Sequence, residues 1–292
     1  MVEVPAWDDS FPEPTRLRTE VEAAADALIA ALCNLVPMSE IAGLYVKGSS
    51  VKSWDSPLDY VPSLSDVDVH VLYASSETHG RYFNSLDQAA GLSRSIETRY
   101  HRTVAEPMHI PRVQLVVAND LYRQPDFIPS PAKTVRVRHG LPYPEAPVAA
   151  QDLERSRDTS RKRLRSEATG QLLGTLPGKV ADEFGPHLRR QMRELSWRVA
   201  PTGPRVLEVL GVPFQTAWSS NRTKLCRLLV ENGESDLASA YASFYLNGWR
   251  YYLTGDQNGE PARQAILAAS RVLTRGWEIG GEETRANRET KS

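Results

Sequence analysis

The sequence predicts an α+β fold, in which strands and helices interleave up to about residue 140 and an all-helical domain follows. Three observations carry this. Residues 66–71 and 112–118 alternate polar with apolar side chains, the period-two pattern of a half-buried strand. Leu17, Val21, Ala24, Leu28, Leu32 and Leu35 recur at three- and four-residue intervals, the period of an amphipathic helix. Beyond a proline- and alanine-rich run at 141–151, the apolar spacing stays helical to about residue 278.

Taken in order, residues 1–14 read as an irregular, acidic arm punctuated by prolines. The helix from Thr15 ends at Pro37, which cannot extend it. Residues 41–46 form an apolar first strand that delivers Gly48 and Ser49. A loop with two prolines, Pro57 and Pro62, leads to the strand that opens at Asp66. Residues 78–102 predict one helix, with Leu86, Ala89, Leu92 or Ser93, Ile96 and Tyr100 facing inward. Pro107 and Pro111 bracket a turn before the strand at 112–118, and residues 133–138 predict a further short strand.

The run at 141–151 is the expected domain boundary. Residues 152–169 then form a helix carrying Arg155, Arg157, Arg161, Lys162, Arg163 and Arg165. These charges go around most of the helix, as on a solvated surface; the alternative is a wall facing a triphosphate or another anion. A helix at 180–199 is expected to break at Pro201-Thr202-Gly203-Pro204, with a short apolar turn at 205–210. Helices at 221–232, capped near Ser219 and Ser220, and at 235–253 follow. Tyr241, Phe244, Tyr245, Trp249, Tyr251 and Tyr252 lie at helical spacing in the second of these, which predicts core. The last helix spans 261–278, and the polar tail at 281–292 is expected to be disordered.

The chemistry concentrates between Lys47 and Tyr73. On a strand, successive side chains point to opposite faces. Val67, Val69 and Val71 therefore face one way, and Asp66, Asp68 and His70 the other. Two carboxylates at i and i+2 on one face repel each other, and a cation between them removes that cost. Mg²⁺ takes oxygen ligands and binds through one or two carboxylates plus substrate phosphates. The bland alternative is an edge strand with a solvated acidic face. Gly48 lets a phosphate approach the backbone with no Cβ in the way, and the Ser49 hydroxyl and nearby N–H groups can bind phosphate oxygens. A plain strand-ending turn is the alternative there. Lys47 and Lys52 flank this turn and read as solvated lysines or, less simply, as phosphate ligands. His70 reads as a hydrogen-bonded structural residue, or as a base whose pKa the nearby Asp68 raises toward working pH.

Gly-Ser after a strand, a loop, and then Ser65-Asp66-Val67-Asp68-Val69 opening a strand resembles the signature of the DNA polymerase beta superfamily of nucleotidyltransferases. In layout it is similar to the aminoglycoside (streptomycin-type) adenylyltransferases. The resemblance covers roughly residues 41–120, and the loop between Ser49 and Asp66 is longer than in most of that family. It implies a nucleotidyltransferase domain at 1–140 with a mixed β-sheet and flanking helices, followed by a helical domain at 151–280. It implies Mg²⁺, as two ions with one of them weak, and a nucleoside triphosphate as substrate. Asp66 and Asp68 would be the metal-binding and catalytic residues, and Gly48 and Ser49 would bind nucleotide.

The resemblance also implies a third carboxylate on the neighbouring strand, where this chain has Gln114. Glutamine offers a neutral oxygen but cannot serve as a general base at neutral pH. Three readings stay open. His70, Glu106, Asp120 or an acid of the helical domain substitutes; or one metal suffices with a reactive acceptor; or the protein binds nucleotide without efficient transfer, as a regulatory or antitoxin-like partner.

Composition sets outer limits. At ~150 residues per domain, 292 residues fit two domains. A formal net charge of −1 gives no bulk attraction to nucleic acid or anionic membrane, which disfavours a nucleic-acid end-modifying transferase. The arginine-rich helical domain disfavours a polycationic aminoglycoside acceptor. Cys33 and Cys226 lie far apart in apolar helical patterns and read as core thiols. No leader-type segment and no membrane-length apolar run is visible, so a cytoplasmic protein is expected. The partners expected are a nucleoside triphosphate and a hydroxyl-bearing acceptor, a small molecule or a protein.

Overall fold

In the computed structural model residues 4–289 are described, with side chains through residue 282. The chain divides into two compact units. Among the described residues, 7–53 and 65–146 form a sheet unit, and 4–6, 54–64 and 147–289 form a helical unit.

In the sheet unit, α1 (Pro14–Leu35) starts with Pro14, at a position where a missing N–H costs nothing. Then come β1 (Ile41–Lys47), β2 (Asp66–Tyr73), α2 (Thr78–Tyr82), α3 (Leu86–Thr103), β3 (Arg112–Val117), α4 (Ala118–Tyr122) and β4 (Val135–Gly140). The sheet is mixed, in the order β3-β2-β1-β4. β1 pairs antiparallel with both β2 and β4, and β2 pairs parallel with β3.

Period two sorts the faces as expected. Val67, Val69 and Val71 are fully buried. Val71 joins Leu32, Val36, Ile41, Leu44 and Tyr73 in a cluster that Leu115 and Val117 pack against. Ala24, Ala27 and Tyr100 form a second cluster with Ile96 and Val113. So α1 and α3 cover one face of the sheet. Inside this packing the buried Glu20 of α1 accepts from the Met108 and His109 backbone N–H groups, at 2.7 and 3.2 Å, and lies 2.9 Å from His109 Nδ1. A buried carboxylate is tolerated because donors meet it.

The helix expected at 78–102 is two helices. Ser85 interrupts it and caps α3 by accepting from Gln88 N. Tyr100 is buried as expected, but Leu86, in the first turn of α3, is 85% exposed.

The helical unit contains α5 (Ala150–Leu164), α6 (Glu167–Ala181), α7 (Leu188–Val209), α8 (Phe214–Ser219), α9 (Arg222–Glu231), α10 (Ser235–Leu253) and α11 (Gly259–Glu289). α7, α10 and α11 pack on one another. Tyr241, Phe244, Tyr245, Trp249 and Tyr251 of α10 are buried, as their spacing predicts. Cys226 is buried and Cys33 half-buried, and both are free thiols. The backbone of α11 stays helical to Glu289, past the tail boundary expected at 281; residues 290–292 lie outside those described. Among the described residues no helix is long and apolar enough to cross a membrane.

Two further helix expectations change. The helix expected at 152–169 stops at Leu164, and Ser166 caps a new one by accepting from Thr169 N. Pro201 and Pro204 do not break the chain but lie inside α7. Pro204 has no N–H to give the carbonyl of Ala200, four residues earlier. The Tyr241 hydroxyl of α10 donates to that carbonyl instead, at 3.2 Å. A tertiary donor thus replaces the one that Pro204 removes.

The loop between Ser49 and Asp66 also departs from expectation. Its middle, residues 54–64, belongs to the helical unit. Leu58, Tyr60 and Val61 are fully buried there, and Trp249 Nε1 donates to Pro57 O at 2.7 Å. Asp59 accepts from the Thr223 N–H at 2.9 Å and the Thr223 hydroxyl at 2.8 Å, in the first turn of α9. A carboxylate there also suits the positive end of the helix. Gly248 of α10 leaves the room: a Cβ would stand 2.5 Å from Leu64 Cδ1.

Removing the Asp59 carboxylate would leave the Thr223 N–H buried without its acceptor and the Thr223 hydroxyl with Ser56 Oγ, 2.6 Å away. Asp59→Ala is therefore expected to lower the unfolding free energy by about 2–4 kcal/mol, measured by urea denaturation. A loss within experimental error of zero would show that the Asp59 hydrogen bonds do not stabilise the segment.

Candidate functional site

The polar face of the sheet gathers the residues singled out in the sequence. Parallel pairing sets Asp66 beside Arg112 and Asp68 beside Gln114. Antiparallel pairing sets Asp68 beside Lys47, and His70 beside Tyr45. Gln114 therefore points to the face of the aspartates, and its Nε2 donates to Asp66 Oδ2 at 3.1 Å. Arg112 Nη1 lies 3.7 Å from Asp66 Oδ1.

Gly48 adopts φ +84°, a left-handed conformation that only glycine takes without strain. A Cβ on it would stand 2.8 Å from Asp68 Oδ2. The turn Gly48–Ser50 thus lies directly against the second carboxylate. It is braced locally: Ser50 Oγ donates to Lys47 O at 2.8 Å, and Arg18 of α1 donates to the carbonyls of Ser50 and Lys52 at 3.5 and 3.1 Å. Ser49 is half-buried in the same turn.

Electrostatics distinguishes the members of this cluster. Burial pushes the Asp68 carboxyl up to about 6, and the charge of Asp66 adds to the rise; Lys47 and Arg112 oppose it. Lys47 is not a solvated lysine. Burial lowers its ammonium to about 8, partly offset by Asp68, and its Nζ donates to the Tyr143 hydroxyl at 2.8 Å. Tyr143 in turn packs edge-on against Tyr45, with ring centroids 5.2 Å apart. His70 also departs from expectation. Its pKa is pushed down to about 3, by burial first and Lys47 second. The carboxylate two residues away does not lift it, because desolvation of the charged imidazolium dominates. His70 is a neutral imidazole with Nδ1 buried and unpartnered.

The donor set fits a single hard cation. Two adjacent carboxylates, one of them carrying a desolvated charge, are what one Mg²⁺ with water and phosphate ligands takes from a protein. A second ion would need more. Among the described residues no group of three or more His, Cys, Asp or Glu side chains is arranged to hold a metal. Asp120 lies exposed, 3.8 Å from Arg123, and Glu106 is exposed with its carbonyl held by Arg16. Neither joins the pair. Gln114 supplies an amide N–H to Asp66; turned over, the same amide would offer its oxygen to a cation instead.

Sequence reasoning missed Lys47 as a desolvated member of the face, and it missed Tyr143 altogether. The parity of β1 carries a signal for Lys47, since it shares a face with Tyr45, but its pairing with Asp68 does not follow from sequence spacing. Tyr143 lies in the proline-flanked run read as a boundary.

The folded-state pKa of Asp68 lies above the ~3.9 of an unfolded chain, so the native state holds the extra proton between the two values. The stability Asp68 contributes is full below about pH 4 and is lost as pH rises through about 6. In EDTA, the unfolding free energy is expected to fall by up to ~3 kcal/mol across that window because of this one group. Asp68→Asn should lack that component in urea titrations at several pH values. A difference between wild type and variant that stays flat from about pH 4 to 7 would assign Asp68 an ordinary carboxyl.

Comparison with known proteins gives no match: no protein-family model, no curated protein and no solved structure resembles the chain closely enough to count. The site is therefore read from its own geometry.

Proposed function

We propose that the protein is a Mg²⁺-dependent nucleotidyltransferase that moves a nucleoside monophosphate, AMP from ATP, onto a hydroxyl of a small molecule or protein. One observation carries the reading. Asp66 and Asp68 share a sheet face, and a glycine turn with positive φ abuts the second carboxylate. A phosphate can approach such a turn because no Cβ intervenes, and the two carboxylates next to it can hold a cation that also grips phosphate. The bound ion would supply Lewis acidity, holding the triphosphate and lowering the pKa of the attacking hydroxyl.

The chain's own residues have separate parts in this reading. Asp66 and Asp68 hold the cation. Gly48 and Ser49 cradle phosphate oxygens. Lys47 offsets part of the negative charge beside Asp68, and Gln114 orients Asp66. His70, neutral and buried, supports the face rather than taking a proton.

A second reading has its own support. The position where a third acid would stand carries Gln114, whose amide is engaged with Asp66, and the described residues hold no third carboxylate close enough to complete a metal cluster. This favours a nucleotide-binding, weakly catalytic protein acting as a regulatory or antitoxin-like partner.

Two experiments decide. Mg²⁺ and ATP added together should raise the melting temperature, because a ligand bound only by the folded state stabilises it. The Asp66→Asn/Asp68→Asn double variant should fold and lose that rise; an undiminished rise would remove the pair from the site. Transfer of labelled AMP from ATP to a panel of hydroxyl acceptors then separates the two readings.

Gln114→Glu tests the missing acid directly. In an impaired transferase it should raise transfer roughly tenfold or more, in the range a positioned general base supplies. In an enzyme that already works without a third acid, it should leave transfer unchanged or lower it, because the new charge repels Asp66.

A further inference from the structure

Within the helical unit a cavity of about 220 Å³ is lined by Arg163, Arg198 and Arg205, with Ser166, Thr169 and Trp197 among its other walls. The three arginines come from two helices. Arg198 and Arg205 are seven residues apart on α7, two turns along one face. Arg163 comes from the last turn of α5. Among the described residues no acidic side chain lines the cavity.

Three guanidinium groups around one small cavity repel one another, and a folded chain keeps such a cluster only if something offsets it. Glu194 is near Arg198, at 4.0 Å, and the buried Glu208 gives Arg205 some opposing charge. One oxygen of Glu208 is engaged: its Oε2 accepts from Ser160 Oγ and Trp218 Nε1, at 2.7 and 2.9 Å, while its Oε1 is buried without a hydrogen-bond partner. Arg205 Nε is buried and has no hydrogen-bond partner, and a buried donor left unmade costs free energy. Burial and the charge of Arg163 push the Arg205 pKa down to about 10. An anion in the cavity would reverse both effects.

We propose that this cavity binds the phosphate group of a small phosphate ester. Guanidinium forks match phosphate oxygens in pairs, and a dianion interacts with an arginine-lined wall more strongly than a carboxylate does. Ser166 and Thr169 stand at the start of α6, a fifteen-residue helix whose positive end adds to the same field. Leu164, Leu273 and the half-exposed Trp197 provide apolar surface for the organic part of the ester. The site lies wholly in the helical unit and needs no divalent cation.

The test uses the full chain in EDTA at fixed ionic strength, with chloride as the control anion. Isothermal titration with inorganic phosphate, glycerol phosphate and AMP should show one saturable site, with at least one ester binding more tightly than inorganic phosphate. Arg205→Gln and Arg163→Gln should each weaken binding by about tenfold or more, the loss expected when one charge-assisted pair is removed. Arg163 is the more safely replaced, at a helix end, should Arg205→Gln fail to fold. The Asp66→Asn/Asp68→Asn variant should bind as wild type does. No saturable binding by any of the three probes would overturn the proposal. So would affinities unchanged in folded arginine variants, or an ester that binds no more tightly than phosphate.

Discussion

β2 pairs on both edges, and those two pairings decide which side chains meet. On one edge, parallel pairing with β3 sets Arg112 and Gln114 beside Asp66 and Asp68. On the other, antiparallel pairing with β1 sets Lys47 beside Asp68 and Tyr45 beside His70. Because strand side chains alternate, a slip of one residue would turn the aspartates into the apolar layer under α1 and α3. The valines at 67, 69 and 71 are fully buried in that layer and pin the register. The polar face is a consequence of how firmly the other face is packed.

On that face the charges are strained in a chemically useful sense. Asp68 and Lys47 are neighbours, yet each is shifted toward its neutral form, because both are taken out of water. Their mutual attraction opposes the shifts without cancelling them. A desolvated carboxylate next to a second carboxylate has more to gain from a cation than a solvated one does. The same desolvation silences His70. One physical cause thus raises the carboxyl of Asp68 and keeps His70 a neutral imidazole.

The helical unit solves a different problem, that of backbone groups deprived of their usual partners. Pro204 leaves a carbonyl that Tyr241 fills, and the first turn of α9 has N–H groups that Asp59 helps to fill. Both solutions come from residues distant in sequence. The arginine-lined cavity is a place where such a solution is incomplete among the protein's own atoms, since Arg205 Nε remains unpartnered.

The sequence by itself determined the elements whose pattern is local. Period two at 66–71 and 112–118 located β2 and β3 and put Gln114 on the aspartate face, and the period of three to four placed α1 and α10 with their buried sides. A Gly-Ser turn before an Asp-x-Asp strand was visible as a unit for the same reason: its members lie within one short stretch of chain. Tertiary structure alone decided the rest. Proline at 201 and 204 signals a break until a tyrosine 37 residues beyond Pro204 supplies the missing donor. Residues 54–64 look like a loop until Thr223 of α9, 164 residues on in sequence but in the same helical unit, offers Asp59 its donors. The charge states of Lys47 and His70 depend on how much water reaches them, and burial is a property of everything packed around a residue, not of its neighbours in the chain.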